Sequence, residues 1–197
     1  MTVPIRQREI TGKWDRGYVL DWHVESSEMT GYNGYGHPTF KTIRTPLGEL
    51  LFRLKYRNDY SVVGEIAGTA ANFLSIWPIR PDYLIPIPPS DTSRQKQPVL
   101  EIAKVLSLLR QIPLNMAGLT KTRSTSQLKN IQEYEERTAA LAEAFQVNQA
   151  TLTDKHVLLF DDVYRSGATL STAAELLRVQ GRVSSVCVLA LTETRGS

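Results

Sequence analysis

The chain has 197 residues, 42% of them hydrophobic and 22% charged, with a formal net charge of +3. That is long enough for one domain with a substantial core, and its charge bias is too small to argue for nucleic acid by itself. The single cysteine, Cys187, excludes an internal disulfide and a cysteine-rich zinc site. No apolar run approaches the roughly 18–20 residues that a membrane span needs. The opening Met1-Thr2-Val3-Pro4-Ile5-Arg6 lacks the apolar core of a signal peptide, so the expected location is the cytoplasm, with no membrane partner.

In chain order, residues 1–46 differ from the rest. They hold Trp14 and Trp22, several tyrosines and the run Gly31-Tyr32-Asn33-Gly34-Tyr35-Gly36-His37-Pro38. Gly and Asn at that density predict turns, and residues 18–24 predict a short strand, so a small β appendage is expected ahead of a core at 47–197. Its aromatics either pack against the core or stack on a planar ligand. From Leu47 the period becomes helical, first through Leu54 and then from Val62 to Leu74, ending at Pro78 and Pro81. Residues 82–89 read as an apolar strand stopped by prolines, 90–96 as a polar loop, and Val99 to Leu109 as a helix. Residues 112–119 read as another strand and 120–132 as an exposed loop. A helix starting near Tyr134 follows, with Leu141 and Phe145 on its buried face. A strand from Val157, a helix with Leu170, Ala173, Ala174 and Leu177 on one face, and a strand over 183–191 complete the pattern. Strands alternating with helices predict an α/β fold with a parallel sheet covered on both sides.

The chemistry concentrates in Val157-Leu158-Leu159-Phe160-Asp161-Asp162-Val163-Tyr164-Arg165-Ser166-Gly167-Ala168-Thr169-Leu170. A buried strand ends in two acids, and ligands of open α/β sheets bind beyond such ends. Neighbouring residues of a strand point to opposite sides, which gives the acids different partners. Carboxylates accept strong bonds from sugar hydroxyls. The following loop and helix N-terminus offer backbone N–H groups to an anion, with Gly167 free to take a φ that a Cβ would resist. The bland alternative is that Asp162 or Ser166 caps the helix. No P-loop, dinucleotide fingerprint or zinc-protease motif occurs, and His23, His37 and His156 lack metal-ligand spacing.

This stretch resembles the 5-phosphoribosyl 1-pyrophosphate (PRPP) signature of type I phosphoribosyltransferases: apolar residues, two acids and a Thr/Ser-Gly-x-Thr loop. The ComF-like branch is the nearest likeness. Leu54-Lys55-Tyr56-Arg57, Leu84-Ile85-Pro86-Ile87-Pro88 and the spacing of Gln127, Glu136, Arg137, Leu141 and Phe145 resemble segments of that branch. The likeness covers about Leu47 to Leu191 and implies the type I phosphoribosyltransferase fold. It gives the ribose hydroxyls to Asp161 and Asp162, and the 5-phosphate to Arg165, Ser166, Gly167, Ala168 and Thr169. Pyrophosphate falls to Pro89, Ser90, Arg94 and Lys96, and a closing flap to the stretch with Lys121, Arg123, Gln127 and Lys129. Mg²⁺ would be held mainly by the ligand and water, with Asp161 as the protein group in reach.

What the resemblance implies is Mg²⁺-dependent phosphoribosyl transfer between pyrophosphate and a nucleobase, or the reverse reaction on a nucleotide. ComF-like members begin with a cysteine-rich zinc segment that this chain lacks. Residues 1–46 are therefore the candidate hood that selects the acceptor, with purine favoured by its aromatic faces. Relatives of this type also occur beside DprA-like proteins, and in toxin–antitoxin defence modules of the ShosT type the transferase is the toxin. A DprA-like partner and a homodimer thus join the expectations. Two other classes compete: a PRPP or nucleotide sensor without catalysis, and a DNA-uptake accessory that binds nucleic acid through its basic loops.

Overall fold

Strand β8 (His156–Tyr164) runs through the middle of the molecule, and its side chains alternate between two faces as a strand's must. Leu158 and Phe160 enter one hydrophobic cluster, while Val157 and Leu159 enter the other. The structure, a computed structural model, describes residues 2–90, 95–122 and 134–194, the last range with side chains from 138 onward. Beside β8 lie β9 (Ser185–Glu193) and β5 (Tyr83–Pro86), both parallel to it. Strand β2 (Arg16–Trp22) pairs in parallel with β9, and the two-residue β1 (Arg8–Glu9) closes that edge antiparallel, giving the order β1-β2-β9-β8-β5.

Helices cover both faces. The first cluster takes Leu51 of α1 (Pro46–Tyr56), Ile66 of α2 (Val63–Ile76) and Ile102 of α3 (Pro98–Arg110). The second takes Leu141 of α4 (Tyr134–Ala144) and Leu170 and Leu177 of α5 (Ala168–Val179). A sheet buried on both sides demands near-continuous apolar strands, which is why β8 and β9 show little polar alternation until their ends. The fold is therefore α/β, a mostly parallel central sheet flanked by helices. Phe160 has no exposed surface, and truncating it to alanine would cost about 3–5 kcal/mol. Among the described residues no helix is long and apolar enough to cross a membrane.

Residues 1–46 divide between two places. Strand β2 lies inside the main sheet, and Trp14 is packed against it with its indole N–H donating to the Ile10 carbonyl at 3.0 Å. Tyr18 packs on Phe73 and Trp77. For these aromatics the packing alternative is what the structure shows. Residues 24–44 form a separate hairpin of β3 (Val24–Tyr32) and β4 (Pro38–Arg44). The glycine-rich run is its tip, where the Asn33 side chain accepts the N–H groups of Tyr35 and His37 and Gly36 adopts φ 76°.

The hairpin leads directly into α1. Thr45 caps that helix by accepting the Gly48 N–H, Pro46 opens it, and the Thr45 hydroxyl donates to the Trp22 carbonyl at 2.6 Å. A Cβ on Gly48 would stand 2.1 Å from the His23 carbonyl oxygen, so only glycine lets α1 press against the corner between β2 and β3.

Two expectations are corrected. Of residues 112–119, only Leu119 enters a strand, and 112–118 contribute a single bridge, Leu84 with Leu114, because Pro113 lacks an N–H and Asn115 turns the chain by accepting the Gly118 N–H. Phe145 is buried, but it begins β7 (Phe145–Val147), which pairs antiparallel with β6 (Leu119–Lys121).

Candidate functional site

At the carboxyl end of β8 the alternation continues into charge. Phe160 points to the α1 side, so Asp161 takes the α5 side and Asp162 the α1 side. The Asp162 carboxylate meets the Lys55 ammonium of α1 at 2.9 Å. The Asp161 carboxylate accepts the backbone N–H of Asp162 at 2.8 Å. Behind them, the Thr192 hydroxyl of β9 donates to the Asp162 carbonyl at 3.4 Å and lies 3.1 Å from the His23 ring nitrogen Nδ1.

Both acids line a cleft of about 360 Å³, with Lys55, Tyr56, Pro89 and Ser90 on its other walls. A smaller pocket of about 50 Å³ is formed by Arg165, Ser166, Gly167, Ala168 and Thr169 together with Asp161. Asp161, Val163 and Thr169 line both spaces, so the two adjoin at these residues. Gly167 sits at φ 75°, and a Cβ there would approach the Tyr164 hydroxyl to 2.9 Å, so the turn requires glycine. It is also the N-cap of α5, with no side-chain cap bond. The capping alternative for Asp162 and Ser166 is thereby set aside, and the first N–H groups of α5 face the small pocket's end of the helix.

The electrostatics follow from crowding two carboxylates at the end of a buried strand. Burial first, and then the neighbouring Asp162 charge, push the Asp161 carboxyl up to about 7, against the opposing pull of the Asp162 N–H, Lys55 and Lys121. For Lys55 burial acts to lower the pKa, but Asp162 and then Asp161 outweigh it and hold the ammonium above its ordinary value. His23 is shifted down by burial and by the positive charges of Lys55 and Arg44.

The structure brings most of the expected residues together. Asp161, Asp162, Pro89 and Ser90 share the main cleft, and residues 165–169 share the small pocket. Lys121 of β6 reaches the same place, its ammonium donating to the Ser90 hydroxyl at 3.2 Å. Lys96 is not part of the main cleft: it lines an adjoining hollow of about 600 Å³ with Tyr56, Asn58, Tyr60 and Lys55, and its ammonium lies 5.1 Å from the Tyr60 ring centroid. Arg94, Arg123, Gln127 and Lys129 lie outside the described residues. Sequence reasoning did not single out Lys55 or Tyr56 for the site. Their only signal was membership of the Leu54-Lys55-Tyr56-Arg57 segment, since helical period alone places Lys55 merely beside a buried leucine.

No protein-family model matches the sequence, and no curated protein matches it either. Solved structures do match. Adenine phosphoribosyltransferase from Leishmania tarentolae aligns over 95% of this chain and 94% of its own, at 12% identity and a TM-score of 0.48. The enzyme of the same name from Leishmania donovani aligns over 95% and 86%, at 12% identity and a TM-score of 0.44. Hypoxanthine phosphoribosyl transferase from Trypanosoma cruzi aligns over 76% and 67%, at 15% identity and a TM-score of 0.41. Each is a likeness of chain path and says nothing of which residues react.

Proposed function

We propose that the protein is a PRPP-binding phosphoribosyltransferase, moving the phosphoribosyl group between pyrophosphate and a nucleobase or running the reverse on a nucleotide. One observation carries the reading: Asp161 lines both the acid cleft and the glycine-turn pocket at the start of α5, so groups for sugar hydroxyls and groups for a phosphate adjoin at a single residue. Asp161 and Asp162 would accept the ribose hydroxyls. Residues 165–169 would hold the 5-phosphate through backbone N–H groups, with the Arg165 guanidinium at the rim. Ser90 and Lys121 would face the pyrophosphate.

In such a transfer the anomeric carbon becomes oxocarbenium-like as pyrophosphate departs. Catalysis then consists of positioning and of stabilising the departing anion, with no protein nucleophile. Mg²⁺ fits this donor set. Two adjacent carboxylates at the end of a buried strand, with Asp161 pushed up to about 7 by burial and by the Asp162 charge, are hard oxygen donors. Among the described residues no cluster of three or more His, Cys, Asp or Glu forms a cage, so Asp161 and Asp162 are the groups that would hold the ion together with the ligand. When bound, Mg²⁺ would neutralise pyrophosphate oxygens. For the acceptor, the reading assigns a purine to the hairpin side, where Tyr32 and Tyr35 present exposed rings at the tip.

The test is incubation with Mg²⁺, labelled PRPP and a panel of bases, beside the reverse assay with nucleotides and pyrophosphate. Turnover in either direction is expected. Saturable PRPP binding without turnover would replace the enzyme by a sensor, and no PRPP binding would sink the reading.

A further inference from the structure

Lys55 stands at a junction that the ion pair with Asp162 does not by itself explain. Helix α1 delivers it there rigidly: Thr45 caps the start, Gly48 presses on the His23 backbone, and Leu50, Leu51 and Leu54 are buried. Its ammonium touches Asp162, with the two side chains only 24% and 15% exposed. Lys55 and Tyr56 also form the wall shared by the acid cleft and the adjoining hollow that contains Lys96. A lysine serving only to neutralise Asp162 has no need to border both spaces.

Charge balance sharpens the point. A diphosphate entering beside Asp161 and Asp162 meets like charge, which is repulsive at close range in a site of low dielectric constant. Positive groups must offset this, and Lys55 and Lys121 already border the acids. An ammonium has three donors, so it can turn from a carboxylate toward a phosphate without leaving its place.

Resting on the PRPP reading of the site, we infer that Lys55 is the specificity residue for the diphosphate of the ligand, and that it changes partner. In the empty site it pairs with Asp162. In the filled site it turns to the diphosphate at the mouth of the adjoining hollow, which frees the Asp162 oxygens for the ribose hydroxyls. The consequence is discrimination: a ligand carrying a diphosphate recruits Lys55, whereas ribose 5-phosphate must compete with it for Asp162.

Calorimetric titration of the full chain with ribose 5-phosphate, PRPP and pyrophosphate at fixed Mg²⁺ and salt tests this. Lys55→Met should weaken PRPP and pyrophosphate by about tenfold or more and leave ribose 5-phosphate within about threefold, while Lys55→Arg recovers part of the loss. Equal weakening of PRPP and ribose 5-phosphate, or no change in either, overturns the proposal, because a lysine that only holds Asp162 predicts no difference between the ligands. The second variant, Asp162→Asn, does not depend on the folding of the first. Titrated without Mg²⁺, it releases Lys55 and should tighten free pyrophosphate severalfold while weakening ribose 5-phosphate, and unchanged or weaker pyrophosphate binding overturns the proposal. Unaltered protein that binds none of the three ligands overturns the PRPP reading itself, a result distinct from either failure above.

Discussion

The β8–α5 turn and the β3–β4 hairpin leave the same end of the sheet, since Trp22 and Tyr164 both pair with Glu193. They are held in opposite ways. Asp161 and Asp162 extend from a strand paired on both sides, over a buried Phe160, with Gly167 fixing the turn. The hairpin pairs only with itself, and Met29, Phe40, Tyr32 and Tyr35 are each at least half exposed. A lone two-stranded ribbon is marginal in water, and this one is anchored at its base through Thr45 and the His23 corner. On the proposed function, the groups that would meet a ribose phosphate are built into the core, and the rings that would meet the acceptor lie on a ribbon anchored only at its base.

The largest expected effect breaks the rigid side. Asp161→Asn combined with Asp162→Asn removes both charged acceptors and should reduce PRPP affinity by about 100-fold or more in a calorimetric titration. PRPP binding that survives would mean the ribose is held elsewhere. Next comes Gly167→Val, which forces a branched residue to φ 75° against the Tyr164 ring. It should cost about 1–2 kcal/mol in the melting curve and weaken PRPP and ribose 5-phosphate alike by about tenfold. On the hairpin side, Tyr32→Ala with Tyr35→Ala should lower acceptor-dependent turnover by about fivefold while leaving PRPP affinity unchanged. A loss of PRPP binding instead would show that the two regions are not separable.

The smallest effect is one of pH. The Asp161 carboxyl titrates near 3.8 in an unfolded chain and is pushed up to about 7 when folded. A raised carboxyl pKa contributes stability that is complete below about pH 4 and is lost as the pH rises through about 7. Asp161→Asn removes that dependence. The ligand-free variant should therefore melt above the parent at pH 8, with the gap closing toward pH 4. A constant gap across that range would assign the effect to packing.

The same contrast governs how far the sequence could be read. Strand, acids, glycine and helix are contiguous in β8–α5, so local periodicity and turn chemistry were enough, and Asp161, Asp162 and Gly167 stand where the pattern put them. Lys55 was not legible as a site residue, because its meaning comes from Asp162, far along the chain, through the angle at which α1 leaves Thr45. The strand at 18–24 was visible, but its pairing with β9 is non-local and has no signature in either segment. Residues 112–118 misled because their apolar pattern suits a strand while Pro113 and Asn115 prevent the ladder from growing.

The pairing of β2 with β9 also sets an order of events during synthesis. Asp15 accepts the backbone N–H of Val186 across 171 positions, so an early segment waits for a late one. Until β9 leaves the ribosome, β2 has no parallel partner, and one flank of β8 is an open edge of the kind that chaperones cover. A nascent chain that has already made the acids, the glycine turn and α5 still lacks Thr192 behind Asp162. Ligand binding at the acids should therefore await the insertion of β9 between β2 and β8.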